Sequence, residues 1–266
     1  MTTPVWKESL ASFFAERARQ VGVVPTLKDL CYISGRDPRL WLQPDMYEDL
    51  ITSIVESVGA EPSSHVLEVG CASGFLAKGF APRVGRYVGV DLAKPALQVA
   101  RRLELGNASF RMGDGSRLPF EDNRFDAAFC YDVFTNFPHF ADGAGIIEDM
   151  LRVVKPGGAV LIGSIPDAAT REAYEVRVTA VSAQLQSAFG PPPPAPASVG
   201  TRGIIERLHR LVVTPPPPQI VCYYFRSEDF RALGERLHAT VALSNIHRLN
   251  PYEGFRFNAV YTKPAR

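Results

Sequence analysis

Residues 66–74 read Val66-Leu67-Glu68-Val69-Gly70-Cys71-Ala72-Ser73-Gly74. A short apolar β run carries an acidic residue near its end, a glycine turn follows, and Phe75 to Phe80 reads as the start of a helix. Gly70 and Gly74 let the backbone turn sharply and let a ligand approach the main chain closely. The free N–H groups at the helix start suit an anionic ligand group. Alone, a Gly-x-x-x-Gly turn says little. It gains weight from two more acidic loop ends in register downstream, Asp91 and Asp114.

Outward from this turn the pattern repeats. Tyr87 to Val90 is a second apolar β run, and it ends at Asp91. A carboxylate at the tip of the second strand of a doubly wound sheet can accept both hydroxyls of a ribose. Ser109 to Met112 reads as a third strand, followed by the turn Gly113-Asp114-Gly115, where a carboxylate can take a hydrogen bond from an adenine amino group. Phe125 to Tyr131 reads as a fourth strand and Ala159 to Ile165 as a fifth, with helical stretches between them. Such alternation predicts a parallel sheet covered on both faces, with ligands bound outside the carboxyl ends of its strands. A nicotinamide-dehydrogenase reading also uses a glycine turn and a later acid, but it needs Gly-x-Gly-x-x-Gly. Here the third glycine is out of phase, and that reading leaves Asp114 and the turn Lys155-Pro156-Gly157-Gly158 without a role.

Composition narrows the choice. The 266 residues fit one domain with insertions, and 46% apolar content supplies a sizeable core. A formal charge of +1 with no long basic run disfavours a nucleic-acid partner. Cys31, Cys71, Cys130 and Cys222 are scattered, against a zinc site or a disulfide framework. No signal peptide or long apolar span is evident, so the expectation is a cytoplasmic protein with no membrane partner.

From Val66 onward the chain resembles the class I S-adenosylmethionine-dependent methyltransferases, in particular the small-molecule branch called type 11. VLEVGCASG is similar to that family's first motif, YVGVDLA to its second-strand acidic motif, and FRMGDGSRLPFEDNRFDAAFCYDVF to its adenine loop and fourth strand. EDMLRVVKPGGAVLIGS is similar to the helix, turn and fifth strand that follow, and FRSEDFRALGERL resembles the last helix before a terminal hairpin. The resemblance implies a Rossmann-like, mostly parallel seven-stranded α/β sheet. It implies S-adenosyl-L-methionine as cofactor, with S-adenosyl-L-homocysteine as product. Glu68 would sit near the methionine amino group, and Gly70, Cys71, Ala72, Ser73 and Gly74 would wrap the amino-acid part. Asp91 would bind the ribose with Leu92 beside the adenine, Asp114 and Gly115 would hold the adenine edge, and Tyr131 would lie near the sulfonium. One departure is that Ala72 stands where the family usually has the second glycine of Gly-x-Gly. It should be tolerated if its φ stays negative.

The remaining segments are read around this core. Residues 1–60 form an N-terminal helical cap, with Leu10, Phe13 and Phe14 on one helix face and Tyr47, Leu50, Ile51, Ile54 and Val58 spaced to face a core. Residues 61–266 form the cofactor-binding core. Trp41 and Tyr47 either line the site or simply pack. Residues 166–219 form an insertion over the acceptor pocket: a helix from Asp167 to Phe189, a second from about Gly203 to Val213, and proline runs at 191–196 and 215–218 that cannot continue a helix. Val221 to Phe225 reads as a β run, Ser227 as a helix cap, and residues 239–248 and 255–262 as a closing antiparallel hairpin.

These features point to methyl transfer to an O, N or C atom of a small organic acceptor, in keeping with secondary metabolism. A non-methylating rearrangement on the same fold, or a cofactor-binding regulatory role, stays open, and a homodimer is allowed. Relatives often carry a histidine where this chain has Asn136. His139, three residues on, is therefore the candidate base if its loop reaches the pocket, with Asp132 as second choice. No metal ligand set is read.

Overall fold

The computed structural model describes residues 5–189 and 222–265. Four helices open the chain: α1 (Val5–Arg19), α2 (Leu27–Ile33), α3 (Pro38–Trp41) and α4 (Met46–Ser57). Their starts are written in the sequence. Thr26 and Asp29 form a reciprocal capping box on α2. Asp37 caps α3, with Pro38 in the first turn where its missing N–H costs nothing. On α4, Leu50, Ile51 and Ile54 are buried, with Val58 just beyond its end, as their spacing predicts.

The core alternates β1 (His65–Val69), α5 (Phe75–Phe80), β2 (Arg86–Asp91), α6 (Lys94–Arg101), β3 (Ala108–Met112), β4 (Phe125–Tyr131), α7 (Phe140–Val153) and β5 (Val154–Pro166). After α8 (Arg171–Phe189) come α9 (Ser227–Arg236), β6 (Thr240–Asn245) and β7 (Arg256–Thr262). The seven strands lie in the order β3-β2-β1-β4-β5-β7-β6. The first five are parallel, and β7 runs antiparallel between β5 and β6. One apolar layer, which includes Trp41, Phe75, Phe80 and Tyr87, covers one face. A second, which includes Phe125, Phe134, Met150 and Phe230, covers the other. Burial on both faces is why the strands read as continuous apolar runs rather than alternating ones. Strand order reverses between β1 and β4, and the crevice at such a switch point is where these sheets bind ligands.

Several boundaries differ from the sequence reading. The fifth strand spans 154–166 rather than 159–165, because the Lys-Pro-Gly-Gly turn pairs with the end of β7: Gly157 N–H donates to Lys263 O, and Lys263 N–H to Gly158 O. A Cβ on Gly158 would lie 2.4 Å from Asp126 O, so this position requires glycine. Of the β run expected at 221–225, the described residues 222–225 make only an isolated bridge between Phe225 and Asp167. Asp167 caps a 3-10 turn (Ala168–Thr170) ahead of α8, and Arg226 rather than Ser227 precedes α9. The second helix expected near 203–213 and both proline runs lie outside the described residues.

Candidate functional site

A cleft of about 760 Å³, open to solvent, lies at the carboxyl ends of the central strands. Its wall includes Gly70 and Ala72 from the first turn, Asp91 and Leu92 after β2, Asp114 and Gly115 after β3, and Tyr131 at the end of β4. Helix α1 closes one side with Trp6, Lys7, Leu10 and Phe14, and Arg36, Asp132 and Asn136 complete the rim.

The first turn is built tightly. Gly70 and Gly74 hold φ of 84° and 81°, and a Cβ on Gly70 would come within 2.4 Å of Val133. Both positions need glycine. Ala72 departs from expectation: its φ is 42°, in the left-handed region, not negative. Its N–H donates to Asp91 Oδ2, 2.9 Å away. A left-handed alanine costs about 1–2 kcal/mol. Ala72→Gly should therefore stabilise the fold by roughly 0.5–1 kcal/mol once the extra freedom of the unfolded chain is subtracted. Urea titration checks this, and a lower midpoint for the variant would contradict the strain.

Asp91 is held from two sides. Oδ2 accepts from Ala72 N–H and Oδ1 from Ala93 N–H at 2.7 Å. Each oxygen keeps a lone pair, enough for two vicinal hydroxyls. Burial pushes the Asp91 carboxyl up, and the amides of Ala93, Ala72 and Leu92 oppose that shift. Asp114 Oδ1 takes the Ser116 N–H and hydroxyl, while Oδ2 takes Lys7 Nζ at 2.6 Å. Burial raises Asp114, yet the Lys7 and Ser116 bonds outweigh it and hold the carboxylate below its usual range. Adding a Cβ to Gly115 would bring it within 2.6 Å of Val69, so the backbone of the loop after β3 lies directly on β1.

Glu68, Cys71, Ser73 and Gly74 lie behind the wall rather than in it. Cys71 packs where a Cβ on Gly89 would otherwise sit, and Ser73 Oγ donates to Leu30 O at 3.0 Å, tying the turn to α2. Burial drives the Cys71 thiol far above its ordinary range, which leaves it no nucleophile. Glu68 is 2% exposed, and its Oε2 has no hydrogen-bond partner among the described residues.

His139 is exposed at the N-terminus of α7 and is not part of the cleft wall. The 3-10 turn Phe134–Asn136 carries Asn136 inward and Phe137 into the core, and the chain then leaves through Pro138. The role of base suggested for His139 thus loses its geometry. Asp132 does face the cleft, but Arg36 (3.0 Å) and Arg256 (2.5 Å) both pair with its carboxylate. Trp41 and Tyr47 pack instead of lining the site. Trp41 is buried against Tyr252, and the Tyr47 hydroxyl donates to Phe75 O at 2.6 Å. Lys7 and Arg36 were not singled out by sequence. Both sit in helical or loop segments whose order along the chain gives no hint that they fold back over the strand ends. No cluster of metal-binding side chains exists among the described residues, and all four cysteines are free.

The residues fit a nucleoside bearing an amino acid. A doubly held carboxylate at the second strand, a carboxylate and backbone at the third, and an orphaned buried acid beside the glycine turn are what such a molecule needs. Fold and cleft together resemble those of the class I S-adenosylmethionine-dependent methyltransferases. Residues 67–162 match the family described as "Methyltransferase domain". A "Ubiquinone biosynthesis O-methyltransferase" of Alkalilimnicola ehrlichii is 34% identical over 42% of this chain and 46% of its own. A "Ubiquinone/menaquinone biosynthesis C-methyltransferase" of Ectopseudomonas mendocina is 34% identical over 49% of each. The matched region spans less than half the length of each of these relatives. In structure, magnesium protoporphyrin IX methyltransferase from Synechocystis, solved with bound S-adenosylhomocysteine, superposes with a TM-score of 0.55 over 97% of both chains at 14% identity.

Proposed function

We propose that this protein binds S-adenosyl-L-methionine in the described cleft and transfers its methyl group to a small organic acceptor. The observation that carries this reading is Asp91. Its carboxylate is fixed by the amides of Ala72 and Ala93, faces the cleft at the second strand, and keeps one lone pair per oxygen for the ribose. Glu68, Gly70, Ala72 and Gly74 would shape the amino-acid end, while Leu92, Asp114 and Gly115 would hold the adenine. Once bound, the cofactor supplies a methyl electrophile on a positively charged sulfur.

The chain's own part is to align and to exclude water. Trp6, Leu10 and Phe14 of α1 supply an apolar cover for the cleft. Tyr131 and the Arg36–Asp132 pair stand at its polar end. The two curated relatives are named for transfer to oxygen and to carbon, so the family leaves the acceptor atom open. A near-neutral charge favours a small molecule over nucleic acid; the setting proposed is secondary metabolism in the cytoplasm.

Calorimetric titration with S-adenosylmethionine tests the reading, and saturable 1:1 binding is expected. Asp91→Ala should weaken it by about 1–3 kcal/mol, the usual loss when buried polar partners are left unmatched. No heat at millimolar cofactor would refute the proposal. Transfer of a labelled methyl group into a metabolite extract then separates methylation from cofactor binding alone.

A further inference from the structure

A chain of side chains runs from the surface of α4 to the cleft: Asp49, His247, Asn250, Tyr131. Its proton positions can be deduced. Asn250 is 3% exposed, and its Oδ1 lies 3.0 Å from the Tyr252 backbone N–H. A backbone amide can only donate, so that atom is the oxygen and the other is the NH2 group. The NH2 nitrogen lies 3.3 Å from His247 Nε2 and 3.4 Å from the Tyr131 hydroxyl. Nε2 must therefore be bare, which puts the ring proton on Nδ1, 2.5 Å from Asp49 Oδ2. The Tyr131 oxygen receives an N–H from Asn250, so its own proton points elsewhere, and no described residue accepts it. Tyr131 lines the cleft.

Charge at the same end is unbalanced. Arg36 and Arg256 share the single carboxylate of Asp132, and the Nε of each has no hydrogen-bond partner among the described residues. Arg36 and Asp132 both line the cleft. Glu68, the other buried acid influenced by Arg36, has its pKa pushed up to about 8 by burial and is mostly uncharged at neutral pH.

We propose that Asp49 and His247, acting through Asn250, hold the Tyr131 hydroxyl as a hydrogen-bond donor into the cleft, where it and Arg36 together receive a ligand carboxylate. That carboxylate belongs either to the amino-acid end of the cofactor or to the methyl acceptor. Asp49, His247 and Asn250 are positioning residues, and Tyr131 is the group that touches ligand. The inference rests on the cleft being the cofactor site proposed above.

Two measurements test it. Imidazole 15N spectra of the free protein read the His247 tautomer without any ligand. The Nδ1–H neutral form is expected, and the Nε2–H form would overturn the proposal even if cofactor binds. Affinities are then compared for wild type, Tyr131→Phe, His247→Gln and the double variant, with S-adenosylhomocysteine, with 5′-methylthioadenosine (which lacks the amino acid), and with benzoate added to S-adenosylhomocysteine-saturated protein. Tyr131→Phe should cost roughly three- to tenfold, and adding His247→Gln should cost no more, because both changes act through one hydroxyl. A loss confined to S-adenosylhomocysteine assigns the carboxylate to the cofactor; a loss confined to benzoate assigns it to the acceptor. Additive losses, or no loss for either carboxylate ligand, overturn the proposal, whereas a wild type that binds no S-adenosylhomocysteine refutes the cofactor site itself.

Discussion

Asp132→Ala should destabilise this protein by about 3–5 kcal/mol, the cost of stripping the partner from a buried charge. Asp132 sits immediately after β4 with a φ of 64°, a conformation a non-glycine residue holds only when its surroundings insist. Here its side chain insists: one oxygen meets Arg36, the other Arg256, and both guanidinium groups are less than a tenth exposed. Arg256 is further fixed by Ser164 Oγ at 3.1 Å and by the face of Tyr252, 3.7 Å from its ring centre. Removing the carboxylate leaves two buried cations facing each other with nothing between them. Against a typical total stability of about 5–15 kcal/mol, that is a large fraction. Thermal unfolding should shift down by roughly 10 °C for a chain of this size. Adding Arg256→Met to the variant should recover part of the loss by removing one of the two cations. A midpoint within a degree of wild type would show that the cluster is solvated and the charge count above is wrong.

The second large effect depends on pH. Burial raises the Glu68 carboxyl from its ordinary 4.5 to about 8; Arg36 opposes the shift and Asp91 adds to it. A raised acid binds its proton more tightly folded than unfolded. Its contribution is therefore fully present below pH 4.5 and is lost as pH rises through 8. At about 1.4 kcal/mol per pKa unit, the loss accumulates to roughly 3–5 kcal/mol by pH 9. Glu68→Gln keeps the shape without the charge. The variant and wild type should unfold at similar temperatures near pH 4 and diverge steadily above it, with the variant more stable at pH 8–9. A difference that stays constant with pH would mean Glu68 is ionised throughout. An acid retained at such a cost suggests a functional use. A ligand ammonium beside the glycine turn would draw its proton off and repay the burial.

The sequence was most legible where local chemistry and global position agree. Asp91 ends β2 and Asp114 follows β3, and parallel topology alone carries both to one rim, while Glu68, one residue short of the end of β1, is buried behind it. Helix faces such as Leu50, Ile51 and Ile54 declare themselves by spacing. What could not be read depends on contacts distant along the chain. Ala72 adopts a positive φ and gives its amide to Asp91, and nothing in Cys-Ala-Ser announces either. Arg36 and Arg256 meet at Asp132 from opposite ends of the chain. His247, in the loop before β7, is paired with Asp49 of α4, whereas His139, close in sequence to the cleft, turns outward. Motif position was a good guide to backbone on the cleft wall, as at Gly70, Ala72 and Gly115. It was a poor guide to side chains that fold in from the two ends.

The most direct test of the central claim is a crystal structure of the protein grown with S-adenosylhomocysteine. The predicted result places both ribose hydroxyls within hydrogen-bond distance of the Asp91 carboxylate, the adenine amino group at Asp114, and the amino-acid end over Gly70 and Ala72. A nucleoside bound elsewhere, or one lying in the cleft with its ribose turned away from Asp91, would contradict it.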